Sequence, residues 1–319
     1  MTGPTPFGAP PTRAILADGR RRHFQHGPID LVIEAFGPDD ELARAHDHAW
    51  ARFATILGEL VGELASLRAP AGAGAPPLKG LTARRMAAAC APHAEVFVTP
   101  MAAVAGAVAD EVLAALVDGR SLEKAYVNNG GDIALHVSPG ASFGAGIVSL
   151  AQTPEAAGAI AIGHDSPVRG IATSGWRGRS LSLGIADSVT VLARSAAAAD
   201  VAATLIANAV DVDDPAIERA PARSLDPDSD LGDRLVTVAV GPMVHAAVAR
   251  ALDRGADAAR SMVEGGRIVA AHLILNGASR SVGEGPSKLV VTVTEEGLHG
   301  GAVAVLAKDK DVRAAYLAV

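Results

Sequence analysis

Cysteine and aromatic residues are the scarcest components of this sequence. The single cysteine, Cys90, excludes an intrachain disulfide and any metal centre built from clustered thiolates. Set in Met86-Ala87-Ala88-Ala89-Cys90, it reads as a buried small hydrophobe rather than a nucleophile. Aromatic side chains make up 3% of the chain, so close backbone approach through abundant alanine and glycine must supply much of the packing. Excess positive charge is also lacking. With 28 basic residues against 35 acidic and a formal charge of -7, the chain offers no electrostatic footprint for wrapping nucleic acid. Its one dense basic run, Arg20-Arg21-Arg22, reads as a solvated strand edge. No apolar run reaches the roughly 20 residues of a membrane span, and Met1 to Pro11 has neither the basic start nor the apolar core of a secretion signal. A cytoplasmic location, with neither nucleic acid nor membrane as a partner, is the expectation. Gly-x-Ser-x-Gly, P-loop and His-Glu-x-x-His motifs are all missing, which argues against serine hydrolase, P-loop and zincin chemistry. The ten histidines are scattered along the chain and form no ligand spacing.

What is present is ample apolar material: 49% of 319 residues, enough for a substantial core. Residues 1–12 read as a disordered leader and 13–319 as one body. A strand is expected at Ile29 to Glu34. Asp39 and Asp40 then stand where a helix N-cap belongs, and Leu42, Trp50, Phe53, Leu57, Leu60, Val61 and Leu64 recur at helical spacing as far as Leu67. Residues 69–80, with Ala-Gly-Ala-Gly-Ala-Pro-Pro, form a flexible loop. A short helix at Thr82 to Ala91, a strand at Ala94 to Thr99 and a helix from Pro100 to Asp118 follow, the last with proline at the favoured starting position. From Ala125 to Ala193 short β-rich runs alternate with glycines, the spacing of an antiparallel sheet: 125–129, 132–137, 143–150, 157–162, 168–172 and 181–193. Beyond them come a capped helix at Ser195 to Val210, an acidic loop within 211–233, a strand at 235–240, a helix near 242–263, strands at 267–275 and 288–294, and a closing segment. The fold class expected is α+β, mainly antiparallel sheets flanked by helices.

Three segments combine tight turns or a helix face with oxygen-bearing side chains. Asn128-Asn129-Gly130-Gly131-Asp132 exposes backbone amides to an anionic or planar ligand, although Asn-Gly and Gly-Asp are also ordinary hairpin turns. Thr173-Ser174-Gly175-Trp176-Arg177 offers two hydroxyls with a nearby guanidinium, from Arg177 or Arg179, able to compensate phosphate charge; the plain alternative is a Ser/Thr turn with surface arginines. Asp200 and Thr204, four residues apart, share one helix face, a carboxylate–hydroxyl pair suited to a hard cation such as Mg²⁺ or, more plainly, a solvated acid beside a helical threonine. The Asp226 to Asp233 loop echoes a calcium loop, yet Leu231 stands where glycine is needed and Thr237 where a bidentate acid is needed, so it reads as an acidic turn.

Taken in chain order, Asn129-Gly130-Gly131-Asp132, Ala172-Thr173-Ser174-Gly175, Ser188-Val189-Thr190-Val191 and Ala199-Asp200-Val201-Ala202-Ala203-Thr204 resemble the motifs of the ApbE flavin-transferase superfamily. The Thr99 to Asp110 stretch resembles its early helix, and the likeness covers residues 94 to 210. Phe24-Gln25-His26-Gly27-Pro28 and Thr99-Pro100-Met101-Ala102 are closer to the UPF0280 branch. The resemblance implies an ApbE-like, T-fold-related core. It also implies Mg²⁺ held by Asp200, Thr204 and a backbone carbonyl near Ala102, and FAD or FMN contacted by Ala102, Gly106, Asn129, Gly130, Gly131, Asp132, Thr173, Ser174 and Gly175. The activities it implies are FMN transfer to a protein hydroxyl or FAD pyrophosphate hydrolysis, with a flavin nucleotide as small-molecule partner, a protein as acceptor, and homo-oligomeric assembly allowed. Two departures stand against standard transfer: Ala105 occupies the position of the family's lysine, and Ser182-Leu183-Gly184-Ile185-Ala186-Asp187 replaces its Ser-His-Ile-x-x-Pro segment. They leave open a non-catalytic flavin or metabolite binder, and a catabolic enzyme using the scaffold on another substrate.

Overall fold

The computed structural model describes residues 9–72, 77–149, 155–178, 180–283 and 304–306. The N-terminal part runs β1 (Thr12–Ile15), β2 (Arg22–His26), β3 (Ile29–Phe36), α1 (Asp39–Gly62), α2 (Leu64–Leu67), α3 (Leu81–Cys90) and α4 (Val104–Val117). Single 3₁₀ turns at Ala91–His93 and Pro100–Ala103 precede α4. The middle holds β4 (Lys124–Asn129), β5 (Asp132–Val137), β6 (Ser142–Ser149), β7 (Glu155–Gly163), β8 (Gly170–Ser174), β9 (Ser188–Ala193) and α5 (Ala196–Ala209). The remainder holds β10 (Ile217–Pro221), α6 (Ala222–Leu225), β11 (Leu235–Val240), α7 (His245–Glu264), β12 (Ala270–Leu275), β13 (Ala278–Gly283) and β14 (Ala304–Leu306).

Nine strands form one sheet in the order β1-β2-β3-β4-β5-β8-β9-β12-β13, every neighbouring pair antiparallel. Alternation along the strands sends two sets of side chains to opposite faces. Leu31, Ile33, Val127, Ala134, Ala172, Val189, Val191 and Leu273 face the helices and build the main core with Phe53, Met86, Val112, Leu116 and Ile206. Tyr126, Ile133, Leu135, Ile171, Leu192 and Ala270 face the other way and build a second core with Phe143 and Ile162, which belong to the three-stranded sheet β14-β6-β7. The molecule is thus α+β, with antiparallel sheets and one helical layer.

Alanine and glycine govern how closely the helices settle. A Cβ placed on Gly106 of α4 would lie 2.3 Å from the Ala196 carbonyl oxygen of α5, and one on Gly170 of β8 would lie 2.0 Å from the Ser195 carbonyl carbon. Real atoms do not approach so closely, so glycine at both positions lets backbone touch backbone. Buried charge ties the outer helices together: Glu111 of α4 accepts from Arg52 Nε of α1 at 2.9 Å and from Arg85 Nη2 of α3 at 3.1 Å. The stretch Pro100–Val117 is long and apolar enough to cross a membrane by length and composition, yet it packs inside this body against β4, β5, α1 and α5.

Several sequence expectations need correction. Ala94 to Thr99 is not a strand: a Pro92-bearing 3₁₀ turn precedes it, Val96 N–H bonds back to His93 O, and the position between the strands on either side of it in sequence is closed, since β3 and β4 pair directly. In the 181–193 run only Ser188–Ala193 pairs, in 267–275 only Ala270–Leu275 does, and Asp39 and Asp40 lie in the first turn of α1 behind Pro38 rather than capping it. Thr12, assigned to the leader, opens β1, and the acidic stretch 211–233 contains β10 and α6. The expected strand at 288–294 lies outside the described residues.

The close helix contact yields a stability prediction. Gly106→Ala should cost about 1–3 kcal/mol by forcing the α4–α5 backbones apart. Gly58→Ala, on the exposed face of α1 with nothing within 4 Å, should instead stabilise by roughly 0.5–1 kcal/mol through helix propensity. Urea unfolding of the two variants should give opposite signs; equal effects would mean the interhelical contact is not tight.

Candidate functional site

Two helices meet at the centre of the site, and each caps the other. Pro100 starts a 3₁₀ turn from an extended Thr99, and α4 begins at Val104 with small residues where a longer side chain would block approach. Helix α5 begins at Ser195, whose hydroxyl accepts from Ala198 N–H at 3.2 Å. The first N–H groups of a helix have no partner within it. Here Asp110 of α4 accepts from the Ala196 and Ala197 N–H groups of α5, at 3.0 and 2.9 Å. Conversely Asp200 of α5 accepts from Gly106 N–H of α4 at 3.0 Å, with Ala105 N–H as a second donor. The pairings 106 with 200 and 110 with 196 make the helices antiparallel.

Burial dominates the acidity of both carboxyls. It pushes Asp200 up to about 7; the N–H donors of Gly106 and Ala105 pull the other way and the charge of Asp110 adds to the rise. Asp110 is also raised, by burial first, against the pull of its two N–H donors. No basic side chain figures among the influences on Asp200. Burial, with Asp200 adding to it, pushes the nearby Cys90 thiol up to about 12, and that thiol donates to Thr99 O at 3.4 Å, so the cysteine is inert.

The β4–β5 turn joins this junction through a side chain. Gly130 and Gly131 have φ of 63° and 110°, as a two-residue hairpin of this twist requires, and Gly131 N–H is held by Asn128 Oδ1 at 2.8 Å. Asn129 Nδ2 then donates to Ala105 O at 3.0 Å, fixing the turn to the start of α4. Asp132 is buried at the first position of β5. Because Ile133 pairs with Ile171, continuing that register by two residues sets Gly131 beside Thr173, so the Thr173–Gly175 segment lies at the same end of the sheet.

Helix α5 runs toward that end. Its first residues press on Gly170, and its last turn approaches Gly184, where an added Cβ would sit 2.1 Å from Ala207 O. Thr204 lies about 12 Å along the helix from Ala196, one turn beyond Asp200. Asp200, Thr204 and Asn208 are half-buried at four-residue intervals, while Val201, Ala202, Ala203, Leu205, Ile206 and Ala207 between them are buried. One polar stripe on an otherwise apolar helix therefore looks toward the turns.

The structure ties Gly106 to Asp200 and Asn129 to the neighbouring Ala105 by hydrogen bonds and places Ala102 in the turn leading into α4. Strand register sets Gly130, Gly131, Asp132, Ser174 and Gly175 at one end of the sheet, and Thr204 lies one turn beyond Asp200 on α5. It separates Thr173 from this set. Strand alternation points Thr173 to the far face with Ile171, where its hydroxyl bonds Thr190 Oγ1 at 3.0 Å. Asp110, noted in the sequence only as the end of the stretch resembling the family's early helix, and Asp187, noted only within a departing segment, were not expected as site residues. Asp187 is buried and accepts from Trp176 Nε1 at 3.3 Å, Arg177 Nε at 3.0 Å and Asn276 N–H at 2.6 Å. Nothing local marks either residue. Among the described residues no group of three His, Cys, Asp or Glu side chains converges as a metal cluster.

Fold and site thus define an antiparallel α+β protein whose polar centre lies between two mutually capped helices and two sheet-end turns. The family model described as AbpE bacteria matches residues 13–281, and the chain belongs to that ApbE-like family. UPF0280 proteins similar to it include one from Methanothrix thermoacetophila, 38% identical over 36% of this chain and 48% of that protein. Others come from Methanopyrus kandleri, 36% identical over 45% and 55%, and Methanococcus vannielii, 41% identical over 38% and 50%. The chain spans about half the length of these curated relatives. Among solved structures, the apo flavinyl transferase ApbE of Pseudomonas stutzeri aligns with a TM-score of 0.42 and 15% identity over 87% of this chain and 94% of that one. A variant of the flavin transferase ApbE of Vibrio cholerae aligns with a TM-score of 0.33, also at 15% identity, over 88% and 98%.

The raised acidity constant of Asp200 sets a pH dependence. Between an unfolded carboxyl near 3.9 and a folded one near 7, the native state holds a proton that the unfolded state has released. Its contribution to stability is therefore complete below about pH 4 and is lost as pH rises through 7. Asp200→Asn keeps an acceptor for the two N–H groups and removes the titration. In EDTA, the melting temperature of Asp200→Asn should fall less between pH 5 and 8 than that of the unaltered protein; parallel curves would contradict the assignment.

Proposed function

We propose that this protein is a magnesium-assisted flavin-nucleotide protein, with Asp200, Thr204 and a backbone carbonyl near Ala102 holding the cation and the two sheet-end turns holding the nucleotide. The observation that carries the reading is the hydrogen-bonded junction of Asn129, the Ala105–Gly106 backbone and Asp200. Membership of an ApbE-like family supports it as well. The donor set fits the ion: carboxylate, hydroxyl and carbonyl oxygens are the hard ligands Mg²⁺ prefers. A carboxylate raised by burial and by the charge of Asp110, with backbone N–H groups as its donors, gains from a cation.

When bound, Mg²⁺ would neutralise pyrophosphate charge and favour displacement at phosphorus. The chain's own residues would do the positioning. Asp200 releases its proton to bind and, with Thr204, presents oxygens along one helix face. The glycines at 130 and 131 let a ligand approach the turn without side-chain obstruction, Asn128 Oδ1 holds the Gly131 N–H so that the turn keeps its shape, and Asn129 keeps that turn in register with α4. The substrate under this reading is FAD, acting in a cytoplasmic setting, with a protein hydroxyl or water receiving the FMN group.

A second reading rests on Ala105. The residue before Gly106 carries no charge, and its carbonyl is taken by Asn129, so the early helix supplies no cation of its own. That favours a flavin binder without transfer. Incubation with FAD and Mg²⁺ separates the two: release of FMN and AMP, or a yellow protein band, indicates turnover, and bound intact FAD indicates a binder. Under either reading Asp200→Ala should weaken Mg²⁺-dependent flavin binding tenfold or more, with Thr204→Val intermediate. Unchanged binding by Asp200→Ala, measured by flavin fluorescence, would remove the metal assignment.

A further inference from the structure

The four stretches that meet at the site, residues 99–110, 128–132, 173–178 and 196–209, contain one Lys or Arg between them, Arg177. The carboxyls of Asp110, Asp132 and Asp200 lie in the same stretches, so a phosphate entering here meets acidic surroundings. Arg177 is built into the turn that ends β8. Gly178 N–H bonds to Gly175 O at 3.0 Å, which puts Trp176 and Arg177 at the two central positions of a tight turn. A Cβ on Gly175 would stand 2.5 Å from Asp187 O, so the turn is pressed against the backbone leading into β9.

Asp187 then locks both side chains. One carboxylate oxygen accepts from the Trp176 indole and from Arg177 Nε, and the other accepts from Asn276 N–H in the β12–β13 hairpin. The Arg177 guanidinium lies over the Trp176 ring, 4.4 Å from its centroid. Such stacking orders a side chain that would otherwise lose much rotamer freedom on binding. Arg177 keeps 47% of its side chain exposed while Asp187 keeps 10%. Among the described residues the guanidinium is hydrogen-bonded through Nε, and its two Nη groups form a fork of the kind that grips phosphate.

We propose that Arg177 is the phosphate-reading residue of this site, with Asp187 and Trp176 as its positioning residues. This rests on the flavin reading above and narrows it. The terminal or bridging phosphate would be shared between the cation held at α5 and the Arg177 fork at the sheet end.

FMN and riboflavin differ by one phosphate, so their dissociation constants isolate the claim. With Mg²⁺ present, Arg177→Ala should weaken FMN about tenfold or more, leave riboflavin within twofold, and flatten the salt dependence of FMN binding. Arg177→Lys should recover part of the loss, and Asp187→Asn should give an intermediate one, with melting temperatures recorded to confirm folding. Equal weakening of both flavins, or an unchanged FMN constant, would overturn the proposal. Wild-type FMN binding by a folded Asp187→Asn would overturn the positioning role. If the unaltered protein binds no flavin, the flavin reading falls, and Mg²⁺-pyrophosphate titrated calorimetrically tests Arg177 by itself. Loss of that binding in Arg177→Ala sustains phosphate recognition, and its retention, or no binding by the unaltered protein, ends it.

Discussion

The exchange of caps between α4 and α5 is the constraint on which the rest of the molecule turns. Each helix begins with N–H groups that would be buried without partners, and each is completed by an aspartate from the other: Asp110 for Ala196 and Ala197, Asp200 for Ala105 and Gly106. An unmet buried donor costs about 1–3 kcal/mol, so the two starts hold one another in register. The arrangement needs close backbone approach, which Gly106 allows because no Cβ stands between it and Ala196. Shifting either helix by one residue would break both caps together.

That register carries outward to the sheet. With α4 fixed, Ala105 O is presented to Asn129, and the β4–β5 turn is tied to the helix layer. With α5 fixed, its stripe of Asp200, Thr204 and Asn208 faces the turn end, and Asn208 Oδ1 accepts from Leu183 N–H at 2.9 Å to hold the segment before β9. Asp187, two residues on from Ile185, gathers the β8 turn and the β12–β13 hairpin. Three chain-distant loops and one helix face are thus positioned by side-chain oxygens rather than by a large aromatic core, which a chain with so few aromatic residues could not have built.

Local pattern revealed the elements whose signals are local. Glycine-punctuated β runs, Ser195 ahead of an alanine-rich helix, and the periodicity of α1 were all readable, and with them the α+β class. The failures share a cause. Val96-Phe97-Val98 has strand composition, but strand formation requires a neighbour, and the sheet left none there. Conversely, β1 is fully exposed and β2 carries Arg22, His23 and His26, so neither alternates cleanly although both pair. At the site, Asp200 drew notice through its spacing to Thr204, while Asp110 acts on residues 86 and 87 positions away and Asp187 joins Arg177 and Trp176, 10 and 11 positions back, to Asn276, 89 positions on. Thr173 and Ser174 look equivalent in sequence; only the pleat shows that they face opposite ways.

Asp200 is thereby given two employments, and their compatibility decides whether the junction can be more than a structural clasp. A carboxylate has two oxygens and about four lone-pair directions. Two backbone donors occupy part of that capacity, and the Gly106 bond falls on Oδ2. A cation approaching the remaining lone pairs would add to the caps rather than displace them, and would favour the ionised form that burial disfavours. The same N–H groups that hold α4 in place also limit the rise of Asp200, leaving it near 7 and able to deprotonate at neutral pH. Caps on a fully desolvated acid would leave it protonated, and caps on an exposed one would leave it without need of a cation. Burial offset by two donors puts Asp200 between those limits, where fold stability and cation affinity are linked through one proton.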